Sequence, residues 1–201
     1  MSDSADDTVQ GLLTELRSGD RRAFDRLLPL VYAELREIAR RTRRRWDADD
    51  SMNTTALVHE AYLRLAGTSA MAWEDRPHFM CVAARAMRQI LLDHVKRRQA
   101  AKRGAGTRPV PLHEIEVALS TGPDPTDAGA DALIALDEAL QRLQTHDPRQ
   151  TRIVECRFFG GMTIDDTAVA LGVSPATVKR GWAMAQAWLY RELARSSGSE
   201  P

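Results

Sequence analysis

The sequence predicts an all-α protein: two small helical domains joined by an acidic flexible linker. Three observations carry that expectation. Long stretches of the chain place apolar residues at spacings of three and four and not in alternation. Glycine is sparse, at 12 of 201 residues, and aromatic residues make up only 5%.

The elements follow in order. After a short acidic tail, Thr8 to Arg17 reads as a helix ended by Ser18-Gly19-Asp20. A longer helix runs from about Arg21 to Arg44, with Phe24, Leu27, Leu28, Val31, Leu35 and Ile38 on its apolar face. Five arginines among Arg40 to Arg45 exceed what capping of a helix C-terminus requires, and they point to a phosphate or acidic-protein surface. A third helix starts near Asn53 or Thr54 and runs to Leu65, burying Leu57, Ala61, Leu63 and Leu65. The stretch AGTSAMAWEDR, residues 66–76, breaks the pattern and exposes Trp73 in a loop. Pro77 suits the opening of a fourth helix, which continues through Phe79, Val82, Met87, Ile90, Leu91 and Val95 into KRRQAAKR. The segment GAGTRPVPLHEIEVALSTGPDPTDAG, residues 104–129, is rich in Gly, Pro, Thr and acid and reads as an interdomain linker. Helical patterns resume at Asp131 to Leu143 and at Pro148 to Phe158. The domain boundaries expected are therefore 1–103, 104–130 and 131–201, with the two helical units held apart.

MTIDDTAVALGVSPATVKRGW, residues 162–182, has the spacing of a helix-turn-helix. Thr163 suits the N-cap of the first helix, with Asp165 and Asp166 in its first turn, where negative charge meets the positive end of the helix dipole. Ala168, Leu171 and Val173 supply packing positions, and Gly172 stands where the chain must turn. Ser174 and Pro175 read as the N-cap and first position of the second helix. Ser174, Thr177, Lys179 and Arg180 then lie on its opening turns, where a recognition helix meets base edges and phosphates.

Charge is distributed unevenly. The formal net charge is zero, yet Glu34 to Trp46 holds six arginines against two glutamates, and Arg85 to Arg103 holds seven basic residues against one aspartate. From Gly104 to Glu138 there are seven acids and one arginine. A basic block and an acidic block cancel, which points to a nucleic-acid surface with an acidic connector. The pattern also admits a compact form in which the acidic tether covers the Arg85 to Arg103 surface. Cys81 and Cys156 are far apart, each in an apolar helical context, and read as buried free thiols in a reducing cytoplasm. The acidic N-terminus has neither the basic segment nor the apolar run of a signal peptide. No apolar stretch approaches the roughly 20 residues that span a bilayer. A cytoplasmic protein without membrane association is expected.

LVHEAYLRLA at 57–66, MRQILLDHVKRR at 87–98 and DPRQTRIVECRFFGGMTIDDTAVALGVSPATVKRGW at 147–182 together resemble the ECF-type sigma factors of bacterial RNA polymerase, over about residues 8–194. The resemblance implies an alternative sigma factor that binds core RNA polymerase and directs promoter-specific initiation. Its domain two would dock on the polymerase clamp and melt the minus-ten element, and its domain four would read the minus-thirty-five element. It implies that the linker threads toward channels that normally hold nucleic acid, which its acids would mimic. Arg85, Arg88, Lys96, Arg97 and Arg98 would then face the promoter at and above the melted segment, neutralising phosphates. The loop with Met71, Trp73 and Arg76 matches the place where the family captures an unstacked base, Trp73 offering an aromatic wall or else stapling the next helix. Leu57, Val58, Glu60 and Arg64 fall on the surface the resemblance assigns to polymerase docking. Trp182 and Trp188 read as core.

Two departures from the family pattern stand out. ECF-type factors commonly carry an acidic cluster just before the LVHEAYLRL-like helix, whereas here residues 51–56 read SMNTTA, with Asp47, Asp49 and Asp50 displaced upstream. Phosphorylation of Ser51, Thr54 or Thr55 by a Ser/Thr kinase would add about 1.5 to 2 negative charges and restore the missing acid; otherwise the hydroxyls simply cap the helix. Secondly, Gly181, Ala183, Met184 and Gln186 follow Arg180 where relatives often place further basic residues, and Gly181 costs about 1 kcal/mol of helix propensity relative to alanine. With six basic and five acidic residues from Asp147 to Leu193, domain four alone would bind DNA weakly.

Competing classes fit less of the sequence. A free-standing helix-turn-helix regulator would need a dimerisation domain, which has no use for the basic fourth helix or the acidic tether. Enzyme chemistry finds no glycine-rich phosphate loop and no nucleophile elbow, and His59-Glu60, Asp93-His94 and Cys81 match no tight ligand set, so neither metal nor cofactor is expected. An anti-sigma factor or a kinase is the kind of partner that would control such a factor.

Overall fold

The computed structural model describes residues 2–45, 52–67, 74–101 and 130–197, and the regular structure among these residues is entirely helical. The tether at 104–129, Met71, Trp73 and Ser51 lie outside the described residues.

Helix α1 (Ser2–Arg17) begins earlier than the sequence pattern indicates. The acidic segment read as a tail forms its first turns. Helix α2 (Arg22–Arg45) follows the Ser18–Arg21 turn, α3 (Thr54–Ala66) is capped by Asn53, and α4 (Arg76–Ala101) opens on Arg76-Pro77. The Asn53 side chain accepts from the Ala56 backbone N–H at 2.8 Å, so an amide and not the Thr54 or Thr55 hydroxyl caps α3. Val9, Leu12 and Leu13 of α1, Leu27, Val31, Leu35 and Ile38 of α2, Leu57, Val58, Ala61 and Leu65 of α3, and Phe79, Met87, Ile90 and Leu91 of α4 share one buried cluster. Removing each such leucine or isoleucine from water contributes about 1.5 to 3 kcal/mol. Leu63 is a correction to the expected core: it is 56% exposed. It stands two residues from both Ala61 and Leu65, which places it on the opposite side of a helix whose inner face those two define.

In the second half, α5 (Ala130–His146) leads into α6 (Pro148–Val154), whose N-cap Asp147 accepts from the Arg149 and Gln150 backbone N–H groups at 3.0 Å each. The segment expected to continue as one helix to Phe158 widens instead into a π-helical turn, Glu155–Phe159. Helices α7 (Ile164–Leu171) and α8 (Pro175–Ser197) complete the chain.

The two halves are not held apart. Helix α4 packs against α5, the π turn and α7, and Leu133, Leu136, Val154, Phe158 and Phe159 belong to the same buried cluster as Met87 and Leu91. The reason lies in α4 itself: Ile90, Leu91 and Leu92 are all fully buried, and three successive residues span more than half the circumference of a helix. One side of α4 is covered by α1 to α3 and another by the second half.

The cysteines are a second correction. Both are buried, as their apolar contexts indicate, but they are not free thiols: Cys81 of α4 and Cys156 of the π turn form a disulfide with a Cα–Cα distance of 4.8 Å. A sequence separation of 75 residues carries no sign of this proximity, which the packing of the two halves creates.

Candidate nucleic-acid interface

The helix-turn-helix is built by short-range hydrogen bonds. Thr163 Oγ1 accepts from the Asp166 backbone N–H at 3.0 Å and donates to the Asp166 carboxylate at 2.6 Å, closing the start of α7. At its end Gly172 adopts φ 61° and ψ 38°, the left-handed conformation that glycine enters without penalty. The Val173 N–H then reaches back to the Ala168 carbonyl at 3.0 Å, which the Gly172 N–H also meets. Ser174 Oγ accepts from the Thr177 N–H at 3.2 Å, with Pro175 at the first position of α8. Val178, fully buried, locks the second helix against Ile153 and Ala168.

This arrangement leaves Ser174, Lys179 and Arg180 exposed and Thr177 half-buried, its hydroxyl 2.9 Å from Ser174 Oγ. Gly181 has a packing reason that the sequence did not disclose. A Cβ built there would lie 2.5 Å from Ile153 Cδ1, so glycine lets α8 sit directly on α6. Trp182 and Trp188 are partly buried against the core, and the Arg157 guanidinium lies 5.2 Å from the Trp182 ring centroid. Burial pulls the Arg157 pKa below the ordinary arginine value.

The basic residues of α4 divide into two groups. Arg97 is exposed and donates to the Asp93 carbonyl at 3.2 Å, and Arg98 is half-buried. Arg85, Arg88 and Lys96 instead meet carboxylates of the second half. The Arg88 side chain is 7% exposed, bonds Asp137 through Nη1 and reaches Glu155 through Nη2 at 3.2 Å, with the guanidinium 5.2 Å from the Phe159 ring centroid. Arg85 Nε lies 3.4 Å from Glu155, and Lys96 Nζ 3.7 Å from Asp137. Gln141 donates to the remaining Asp137 oxygen at 2.8 Å. The acids that cover this basic face therefore come from α5 and the π turn, while the tether lies outside the described residues.

The remaining candidates are placed as follows. Arg76 is paired with Asp6 and with Glu34, its Nε 3.2 Å from Glu34. Leu57 and Val58 are core residues, whereas Glu60 and Arg64 are exposed beside Leu63, Arg64 donating to Asp93 at 3.1 Å. Thr54 is half-buried and accepts from Arg43 at 3.2 Å; Thr55 is exposed. Between α1, α2, α4 and the start of α7 lies a cavity of about 610 Å³ lined by Asp6, Asp7, Glu34, Glu37, Arg41 and Asp166, among others. Burial raises the Glu34 pKa, while hydrogen bonds from Arg40 first and Arg41 next lower that of Glu37. No group of three or more His, Cys, Asp or Glu able to hold a metal occurs among the described residues, and no helix among them is long and apolar enough to cross a membrane.

Comparison with known proteins returns one family. The model described as ECF sigma factor matches residues 6–195, which takes in both helical halves. No curated protein and no solved structure matches the chain.

Proposed function

The chain belongs to the ECF sigma factor family, and from that premise we propose that it binds core RNA polymerase and directs it to a specific set of promoters. The observation that carries the reading is the extent of the match, residues 6–195, because a shared helix-turn-helix alone would have covered only the last third. The family acts in transcription initiation through DNA contacts. This chain offers the chemistry for them in Lys179 and Arg180, exposed at the start of α8, with Ser174 and Thr177 beside them.

The proposed division of labour follows the chain: 1–103 for polymerase docking and minus-ten melting, 104–130 as connector, 131–201 for the minus-thirty-five element. Glu60 and Arg64, flanking the exposed Leu63, form the proposed docking face of α3, with Leu57 and Val58 supporting it from within the core. Arg97 and Arg98 are assigned to promoter phosphates, joined by Arg85, Arg88 and Lys96 once their carboxylate partners withdraw. Trp73 and Arg76 are assigned to the unstacked base. The protein acts as a cytoplasmic DNA-binding subunit without catalysis of its own, and Thr55, exposed, and Thr54, half-buried against Arg43 of α2, are the candidates for a kinase among the described residues.

The test is co-elution of the purified chain with bacterial core RNA polymerase on size exclusion, followed by promoter binding of the complex. Stable co-elution is expected. No association, together with a palindromic DNA site bound by a homodimer, would replace this reading with a free-standing regulator.

A further inference from the structure

We infer that Cys81 and Cys156 are a thiol–disulfide modification site that clamps the two halves together and keeps Arg88 away from nucleic acid. The inference rests on the proposed sigma-factor reading for its consequence, but on geometry for its existence. Cys81, Arg85 and Arg88 stand at i, i+4 and i+7 on α4 and therefore share one helix face. Cys156 directly follows Glu155, the carboxylate that both arginines meet. The covalent bridge and the ionic cluster are thus one seam, closed at one end by sulfur and along its length by charge.

An apolar core has no favourable alternative to burial, whereas carboxylates and guanidinium groups regain hydration, or a phosphate partner, when they part. The charged part of the seam is therefore where the halves part with least loss, while the apolar side chains that α4 shares with the second half oppose parting, and the disulfide is the bond that forbids it. In a reducing compartment disulfides are rare and serve chiefly as redox sensors, which fits one placed across an interface.

The chemistry balances with two classes of reactant. A dithiol attacks the bridge through one thiolate. The Cys81–Cys156 bond breaks as a mixed disulfide forms, and the second thiol of the reductant resolves it. Two electrons and two protons pass to the protein, leaving two thiols, and the reductant departs as its own disulfide. In the other direction a hydroperoxide oxidises one thiolate to a sulfenic acid, releasing its alcohol or water. The other thiol condenses with the sulfenic acid, forming the bridge and releasing water.

The test uses the full chain oxidised with hydrogen peroxide, the same chain reduced with dithiothreitol, and the Cys81→Ser and Cys156→Ala variants. Thiol content, radius of gyration by small-angle scattering, and affinity for core RNA polymerase with promoter DNA are measured on each. The oxidised chain is expected to carry no free thiol, to be the more compact, and to bind at least about tenfold more weakly, the loss that follows when a binding-competent state falls to a tenth of its population. The reduced chain and both variants are expected to bind alike; peroxide is expected to weaken binding by the reduced chain, as it closes the bridge, and to leave that of the two variants unchanged. Two free thiols persisting after peroxide, or equal affinity and equal size in both redox states, would overturn the clamp while leaving the sigma-factor reading intact. If no form binds polymerase, that reading fails instead, and scattering alone decides: expansion on reduction upholds the clamp and an unchanged radius refutes it.

Discussion

Replacing Asp137 by alanine removes the carboxylate on which the buried seam depends. Asp137 is 2% exposed at its side chain and receives Arg88, Lys96 and the Gln141 amide. Without it the Arg88 guanidinium keeps the 3.2 Å contact to Glu155 as its one carboxylate partner, beside the Phe159 ring, and its Nε already lacks a hydrogen-bond partner. Deleting one member of a buried ion pair costs about 3 to 5 kcal/mol, because a charge is left in the interior without compensation. At 1.4 kcal/mol per factor of ten, the closed arrangement loses roughly two to nearly four orders of magnitude against any state that hydrates Arg88. Parting of the halves is the nearest such state. In the reduced protein, Asp137→Ala is expected to enlarge the radius of gyration and to lower the first thermal transition by about 6 to 20 °C, taking 2 to 4 °C per kcal/mol for a chain of this size. The triple variant Arg88→Met, Asp137→Leu, Glu155→Met replaces the charges by apolar groups and is expected to stay closed, since such exchanges are near neutral or stabilising. A compact Asp137→Ala protein with a transition within about 2 °C of the parent, under half the shift expected of the least uncompensated charge, would refute the reasoning.

Three further outcomes follow from the same contacts. Gly181→Ala gains about 1 kcal/mol of helix propensity but drives a methyl group into Ile153, for which overpacking costs of about 1 to 3 kcal/mol are usual; a net loss in thermal stability is expected, partly restored by Ile153→Val, which deletes the opposing methyl. If Gly181→Ala alone proves more stable than the parent, the close approach of α8 to α6 is not limiting. Lys179→Ala and Arg180→Ala in the polymerase complex are expected to weaken promoter binding and each to reduce the dependence of log K on log salt by about one; an unchanged slope removes that residue from the phosphate contacts. Thr55→Asp, at an exposed position, is expected to strengthen co-elution with core polymerase more than Thr54→Asp, whose side chain is half-buried and already engaged by Arg43, and equal retention of parent and both variants would dispose of a phosphorylation switch.

What the sequence disclosed was governed by local physics. Helix periodicity located α2, α3, α4 and α5 because amphipathic spacing is written within a few residues, and Thr163, Gly172 and Ser174 marked the helix-turn-helix because caps and turns are local. The burial of Cys81 and Cys156 was legible for the same reason. Their bond was not, since it depends on how two separately read units meet. The π turn at Glu155–Phe159 left no periodic signature, and Leu63 was misplaced by counting apolar residues without asking on which side of α3 each stands. In the candidate interface, the basic character of α4 was plain, but the division between Arg97, which faces water, and Arg88, which faces Asp137, follows only from the three-dimensional pairing.

That pairing places two demands on one side chain. Arg88 read along the chain belongs to a promoter-facing stripe, and in the folded protein it is enclosed by two carboxylates. The two uses exclude each other, because a guanidinium bonded to Asp137 and Glu155 and only 7% exposed is out of reach of a phosphate. The charge itself need not decide between them. In the closed state its charge is balanced by carboxylates; in the proposed open state a DNA phosphate would take their place while Asp137 and Glu155 returned to water, so neither state would strand a buried charge. An exchange of like partners takes the charges out of the balance and leaves the apolar contacts of α4 with the second half to hold the closed state, so a ligand opens it only by its differential affinity for the open one. Such a seam needs a further constraint to hold it shut when nucleic acid is abundant, and Cys81 and Cys156 stand where that constraint acts most directly, on the same face of α4 and on the residue beside Glu155.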